Sequence, residues 1–348
     1  MKRMPCVMAL GLAVVVLADG LHACSTFCVN LAGRKFFGRN YDFEIGDGMV
    51  MVNPAGLRKK GFQPGGPGWT SKFGSVTFNQ FGRDNPMGGM NEASLVVELM
   101  WLEETRYPGE DARRPLGNLE WIQYQLDTAG TVEEVLESHE KVRIEGGAPL
   151  HYLVSDASGR AAAVEFLDGR LVAHTGDTLP VPVLTNSTYE ASLGYLRSRP
   201  GRVPGGSGSP ERFARAATRL DTLKRSGTQQ PVQALFEVLA DVAQRSTRWS
   251  IVYDQTKRII HFRTDVHRPL RYVAMDALSF SCTDGARLLD IDTRLEGDVS
   301  NTLKPYSTAG NLAFITRTYA ASSVTRRTPG SQVAAIAAHP ESATCAAR

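Results

Sequence analysis

The chain is a succession of short apolar runs paired across tight turns, and this limits its fold more than any other feature. Phe27-Cys28-Val29 with Leu31, and then Phe36-Phe37, flank a Gly33-Arg34 turn and read as a hairpin. Residues 73–102 alternate apolar and polar positions, with a break at Gly88-Gly89. Leu150 to Val154, Ala162 to Phe166 and Leu171 to His174 are three short strands separated by Ser155-Asp156 and Asp168-Gly169 turns. Trp249 to Tyr253, a turn at Asp254, and Arg258 to Arg263 make a further hairpin. Helical spacing is confined to Leu119–Leu126, Val132–His139, a stretch from Pro210 to about Leu223, and Val232–Arg245. Hairpins with grouped helices, and no βαβ alternation, predict antiparallel sheets covered by helices, an α+β arrangement. The Gly- and Pro-rich stretches 54–68 and 200–209 read as loops, and residues 323–348, rich in Ala, Ser, Thr and Pro, read as a flexible tail.

The first 23 residues have a different character. Lys2 and Arg3 precede an apolar stretch from Val7 to Leu17, and Leu21-His22-Ala23 puts a small residue before Cys24. This is the pattern of a secretory signal peptide, too short to span a membrane as a helix. The expected organisation is therefore a signal peptide over 1–23 and one domain over 24–322, exported and most simply periplasmic. The same residues also resemble a lipobox, in which case Cys24 would carry lipid; secretion is a further alternative. No later segment approaches ~18 consecutive apolar residues, so no membrane span is expected. With 42% hydrophobic and 22% charged residues the composition is that of a globular chain. A net charge of +3 without basic runs gives no electrostatic case for nucleic acid or an anionic membrane.

Cys6 falls in the leader, leaving Cys24, Cys28, Cys282 and Cys345. These show no framework spacing, and the histidines are not grouped as metal ligands, so neither a metal nor an organic cofactor is expected. A Cys28–Cys282 bridge is one reading; free buried thiols is the preferred one. Cleavage after Ala23 would make Cys24 the first residue. Its thiol would then be the nucleophile and its own α-amine, with an ordinary pKa near ~8, the base.

Gly38-Arg39-Asn40-Tyr41-Asp42, following that cysteine, resembles the choloylglycine hydrolase family, which includes bile-salt hydrolases and penicillin V acylases. The resemblance continues in order. Gly89-Met90-Asn91-Glu92-Ala93-Ser94-Leu95 is similar to a family Gly-x-Asn-Glu-x-Gly-Leu element, with Ser94 in place of the usual Gly. Pro149-Leu150-His151-Tyr152-Leu153 and Ala163-Val164-Glu165-Phe166 resemble its central hairpin, and Leu184-Thr185-Asn186-Ser187 its Thr-Asn-Ser element. Glu211-Arg212-Phe213 resembles a Ser-Arg-Phe element, and Trp249 to Asp254 with Phe262-Arg263-Thr264 its late hairpin.

The resemblance implies the αββα four-layer sandwich of N-terminal-nucleophile (Ntn) hydrolases and cleavage of a linear amide through a thioester on Cys24. It implies that Arg39 favours the thiolate, that Asp42 orients the Cys24 amine, and that Arg212 completes the polar network. Asn186 and the backbone N–H of Trp101 would stabilise the oxyanion, and Tyr41 would line the substrate site. The same residues also have plainer readings, ranked second: Arg39 with Asp42 as a surface pair, Asn186-Ser187-Thr188 as a glycosylation acceptor, Trp101 as a core residue, and Arg212 as a solvated helix residue with Arg215 in its place. Trp101, the leader and the short stretch between Asn186 and Arg212 resemble the Gram-negative branch. That implies penicillin V or N-acyl-homoserine lactone as the small-molecule substrate, with conjugated bile salts second. A homo-oligomer is left open, as is a lipid-anchored binding protein without catalysis.

Overall fold

The computed structural model describes residues 23–346; the signal-peptide reading of 1–23 therefore lies almost entirely outside the described residues. Two sheets stack face to face. The first has seven strands, in spatial order Val183–Leu184, Ser25–Leu31, Arg34–Asp42, Thr247–Asp254, Ile259–Thr264, Arg271–Ala274 and Gly297–Asp298. The second has nine, running Arg170–Thr175, Ala161–Leu167, Leu150–Ser155, Val96–Trp101, Pro86–Asn91, Ser75–Asn79, Met49–Asn53, Arg287–Asp290 and Lys304–Pro305. Every neighbouring pair in them is antiparallel except Arg271–Ala274 with Gly297–Asp298.

Helix α1 (Asn118–Thr128) lies on the second sheet, followed by α2 (Val132–Glu137). Helices α3 (Tyr189–Arg197), α4 (Ser209–Ser226) and α5 (Pro231–Asp241) form the layer against the first sheet. Helices α6 (Thr308–Ala321) and α7 (Gly330–Ala338) pack on each other at the side. The result is the layered helix–sheet–sheet–helix sandwich that the hairpin pattern and the family resemblance led us to expect. No helix among the described residues is long and apolar enough to cross a membrane.

Both faces of the central strands are covered, which is why Ser25–Leu31 and Val96–Trp101 are buried almost throughout. One glycine shows how closely the strands approach. Gly38 pairs directly with Phe27, and a Cβ at that position would lie 2.2 Å from the edge of the Phe27 ring. Another position shows what a glycine would have avoided. Ser94, where the family element usually has Gly, adopts φ +63°, a left-handed conformation that costs a residue with a side chain about 1 kcal/mol. It is held there by donating from Oγ to the Gln255 carbonyl at 2.9 Å. Helix α4 begins as the sequence suggests, with Pro210 in its first turn and Glu211 facing the positive end, and stops at Gly227 with φ +69°.

Four expectations are corrected. The stretch 323–348 is not a frayed tail as far as Ala346: it forms α7, a 3-10 turn at His339–Ser342 and a strand at Thr344–Cys345 paired with Leu57–Lys60. The latter strand lies within residues 54–68, which are thus not wholly loop. Cys282 is not free, nor joined to Cys28. It is bonded to Cys345, while Cys24 and Cys28 are free and buried. Helix α5 ends at Asp241 rather than Arg245, because the chain must turn there into the Thr247–Asp254 strand.

Candidate functional site

Cys24 lies just before the first strand of the first sheet. Ser25 pairs with Asn40, so the register carried back one step places Cys24 opposite Tyr41, next to Asp42. Its Sγ contacts the Asp42 carbonyl oxygen at 3.8 Å. The residue is 3% exposed and opens onto a cavity of about 470 Å³, which Tyr41, Asp42, Leu99 and Trp101 also line. Antiparallel pairing thus brings Cys24, Tyr41 and Asp42 together, and the stacking of the second sheet on the first adds Trp101.

Arg39 and Asp42 are fully buried, so they are not the surface pair that the motif alone would also allow. Arg39 donates from Nη1 to the Met87 carbonyl at 2.7 Å and forms an ion pair with Glu98 of the opposite sheet. Glu98 also accepts from the Tyr253 hydroxyl. Burial pushes the Cys24 thiol above its ordinary value; the Arg39 charge pulls it down and the Asp42 charge pushes it up. The thiol is thus held protonated. Arg39 acts on the thiol in the expected direction, towards the thiolate, but desolvation is the larger influence. Burial likewise raises the Asp42 carboxyl to about 7, against the lowering effect of the Thr247 hydrogen bond and of the Arg212 and Arg39 charges. Asp42 Oδ2 is buried and has no hydrogen-bond partner.

Arg212, 2% exposed, projects from the first turn of α4 into this network. Its Nε donates to the Ser207 carbonyl at 3.2 Å and its Nη2 to Asn186 Oδ1 at 2.7 Å. Its Nη1 faces three oxygens: the Ala23 carbonyl at 2.5 Å, the Cys24 carbonyl at 2.7 Å and Ser25 Oγ at 2.7 Å. Arg215 instead binds the Pro204, Gly206 and Asp241 carbonyls and takes no part. The bond to Arg212 orients the Asn186 amide. One of its two N–H donors reaches the Trp101 carbonyl at 2.9 Å, so the two expected oxyanion-stabilising residues stand side by side. The Leu102 N–H donates to the Pro149 carbonyl at 3.0 Å, so by alternation the Trp101 N–H is directed to the other side of its strand. Tyr41 donates to Gln80 Oε1 at 2.7 Å and stacks between Trp249 and Phe43, at 4.4 Å and 5.6 Å between ring centroids.

Sequence reasoning missed the residues that hold these in place. Glu98 neutralises Arg39, Thr247 donates to Asp42, and Ser209 Oγ accepts the Asn186 N–H at 2.8 Å. His151 faces Glu165 at 3.1 Å and the Thr185 carbonyl at 2.7 Å, and Glu165 also accepts the Tyr189 N–H at 2.9 Å. Together they fix both ends of the turn that carries Asn186. His151 and Glu165 stood within quoted motifs but without a role; the others had no local signal. Among the described residues no group of His, Cys, Asp and Glu is placed to hold a metal ion.

The profile of a family described as linear amide C-N hydrolases, choloylglycine hydrolase family, matches residues 24–201. Penicillin V acylase from Pectobacterium atrosepticum is 32% identical over 207 residues, 53% of this chain and 54% of that protein; the chain thus spans about half the length of this relative. Among solved structures, penicillin V acylase from Agrobacterium tumefaciens superimposes with a TM-score of 0.73 at 28% identity, covering 82% of this chain and 98% of that one. A variant of the conjugated bile acid hydrolase from Clostridium perfringens superimposes with a TM-score of 0.65 over 77% of this chain and 97% of that one; at 19% identity this likeness concerns the fold.

Proposed function

Since the chain belongs to the choloylglycine hydrolase family of linear amide C–N hydrolases, we propose that it hydrolyses N-acyl amides with Cys24 as the nucleophile, once the residues before Cys24 have been removed. The observation that carries this reading is the crowding at Arg212. A guanidinium Nη has two N–H groups, yet Nη1 faces three oxygens, one of them the Ala23 carbonyl. Loss of Ala23 leaves two donors for two acceptors. It also creates an α-amine next to Asp42, whose Oδ2 is buried without a hydrogen-bond partner. The disulfide between Cys282 and Cys345 favours an oxidising compartment, and so export, most simply to the periplasm.

The chemistry follows from these positions. The free amine takes the proton from the buried thiol as sulfur attacks the amide carbon, so no standing thiolate is required. The carbonyl oxygen gathers negative charge beside the second N–H of Asn186 and the Trp101 backbone N–H. The ammonium returns the proton to the departing amine, leaving the acyl group as a thioester on Sγ. Water, deprotonated by the same amine, then releases the acid. Asp42 orients the amine, and Arg212 holds the Cys24 carbonyl and Asn186 in one frame.

The acyl group sits in the cavity, whose only charged lining residue among the described residues is Asp42 at the nucleophile. This favours uncharged aryl or alkyl acyl groups, in line with the relatives named for penicillin V; long-chain N-acyl-homoserine lactones fit the same chemistry. The test is amine release from penicillin V, a glycine-conjugated bile salt and a long-chain acyl-homoserine lactone, by mature protein and its Cys24→Ser variant, with mass spectrometry of the N-terminus. Turnover by the first alone supports the reading. A diacylglyceryl group on Cys24 would overturn it in favour of an anchored binding protein.

A further inference from the structure

The cavity that begins at Cys24 does not end within the sandwich. Tyr319, Val324, Thr325, Thr328, Gln332 and Ile336 form its other wall, and all six belong to α6, α7 and the chain between them. This segment lies beyond residues 24–201, where the family profile matches. A run of aromatic rings connects the two walls. Tyr41, beside Cys24, stacks on Phe43; Phe43 meets Phe81 edge to face at 6.1 Å; and Phe81 meets Tyr319 edge to face at 5.5 Å. An apolar acyl group bonded to Cys24 therefore has a continuous path to the C-terminal segment.

That segment has little core of its own. Phe314, Ile315, Val333 and Ala337 make a cluster separate from the main one, and Val324 is 44% exposed. Its position depends on attachments at its ends. On one side Glu44 accepts from Ser322 Oγ at 2.7 Å and from the Ser323 N–H, and Arg317 pairs with Asp47 at 3.0 Å. On the other, Thr344–Cys345 pairs with Arg58 and Leu57, the Ala346 N–H donates to the Gly56 carbonyl at 2.8 Å, and Cys345 is bonded to Cys282. The disulfide is thus the covalent end of a strap drawn across the cavity.

We propose that this strap determines which acyl groups the site accepts, through Val324 and Ile336, and that the Cys282–Cys345 bond holds it at the distance that sets the limit on acyl length. The inference rests on the reading of Cys24 as the acyl-bearing nucleophile. The experiment uses mature protein and a series of amides with one leaving amine and acyl groups from butyryl to dodecanoyl. Val324→Trp and Ile336→Trp fill the distal end of the cavity. They should lower kcat/KM for dodecanoyl by about tenfold or more, through KM, while butyryl turnover keeps its kcat. The Cys282→Ser/Cys345→Ser double variant should flatten the dependence on chain length. A parental chain-length profile in all three variants would overturn the proposal. Should the parent hydrolyse no member of the series, it is the amidase reading that fails. Binding of dodecanoic acid to the Cys24→Ala protein, with and without Ile336→Trp, then decides the strap's role alone: a parental affinity in the Trp variant would sink it.

Discussion

On one side of the cavity Cys24, Tyr41, Asp42 and Trp101 stand at strand ends whose register fixes them, with buried ion pairs and hydrogen bonds from both sheets behind them. On the other side Tyr319, Val324 and Ile336 stand on two helices and the chain between them, tied down by a carboxylate, a two-residue strand and a disulfide. On the proposed reading the first wall places the groups that move protons and attack the amide, where an error of 1 Å is severe. The second bounds a space. If both proposals hold, chemistry and selectivity are stored in parts of this chain held by different forces, so each should be alterable without the other.

The largest expected effect lies on the first wall. Cys24→Ser should reduce turnover of every substrate on the order of 10³-fold or more, since the steps share one nucleophile. Steady-state assays on folded protein check this; selective loss for long acyl groups would mean that the two walls are not separate. Next comes Asn186→Ala, which removes one oxyanion donor and leaves the Arg212 Nη2 without its partner. The expected loss is about 10²–10³ in kcat, uniform across acyl groups. An effect confined to KM would assign Asn186 to binding instead.

That Cys24, Asp42, Asn186 and Arg212 come together was legible in the sequence because they sit in short motifs around the ends of strands and of one helix, and the motifs occur in the order the fold requires. Glu98 and Thr247 were not. Each acts on a motif residue across a sheet-to-sheet or strand-to-strand contact, to Arg39 and Asp42 respectively, and nothing local in the sequence marks such a contact. The strap was misread for a related reason. Helix α7 buries only Val333 and Ala337 among small residues, so it leaves almost no periodic apolar signal. Its order comes from attachments to Leu57, Arg58 and Cys282, far away in sequence. Cys345 could not be matched to Cys282 while its surroundings were taken for a frayed end.

The second wall gives the third prediction. The disulfide closes a loop with a sequence separation of 63 residues. Chain-entropy arguments assign such a loop about 4 kcal/mol, so Cys282→Ser/Cys345→Ser should lower the Tm measurably. The loss should begin locally. Hydrogen exchange should rise first over 330–346, while the Ser25–Asp42 hairpin stays protected. Equal acceleration in both regions would show that the strap and the sandwich unfold as one unit and would break the comparison.

The last effect concerns pH and belongs to the first wall alone. In uncleaved protein burial raises the Asp42 carboxyl from 3.8 to about 7. Between these values the folded chain holds a proton that the unfolded chain has released. Stability therefore falls as pH rises through this window and levels off above about 7, with a slope of at most about 1.4 kcal/mol per pH unit. Asp42→Asn should remove that slope. Mature protein should also show less of it, since an ammonium on Cys24 stabilises the carboxylate and draws its pKa down. The disulfide variant should lose stability by a similar amount at every pH. Denaturant unfolding of all four proteins from pH 4 to pH 8 separates these outcomes. A slope that persists in Asp42→Asn would place the titrating group elsewhere. A slope that is unchanged on removal of Ala23 would mean that the new amine does not reach Asp42, and the proposed base would lack the residue that orients it.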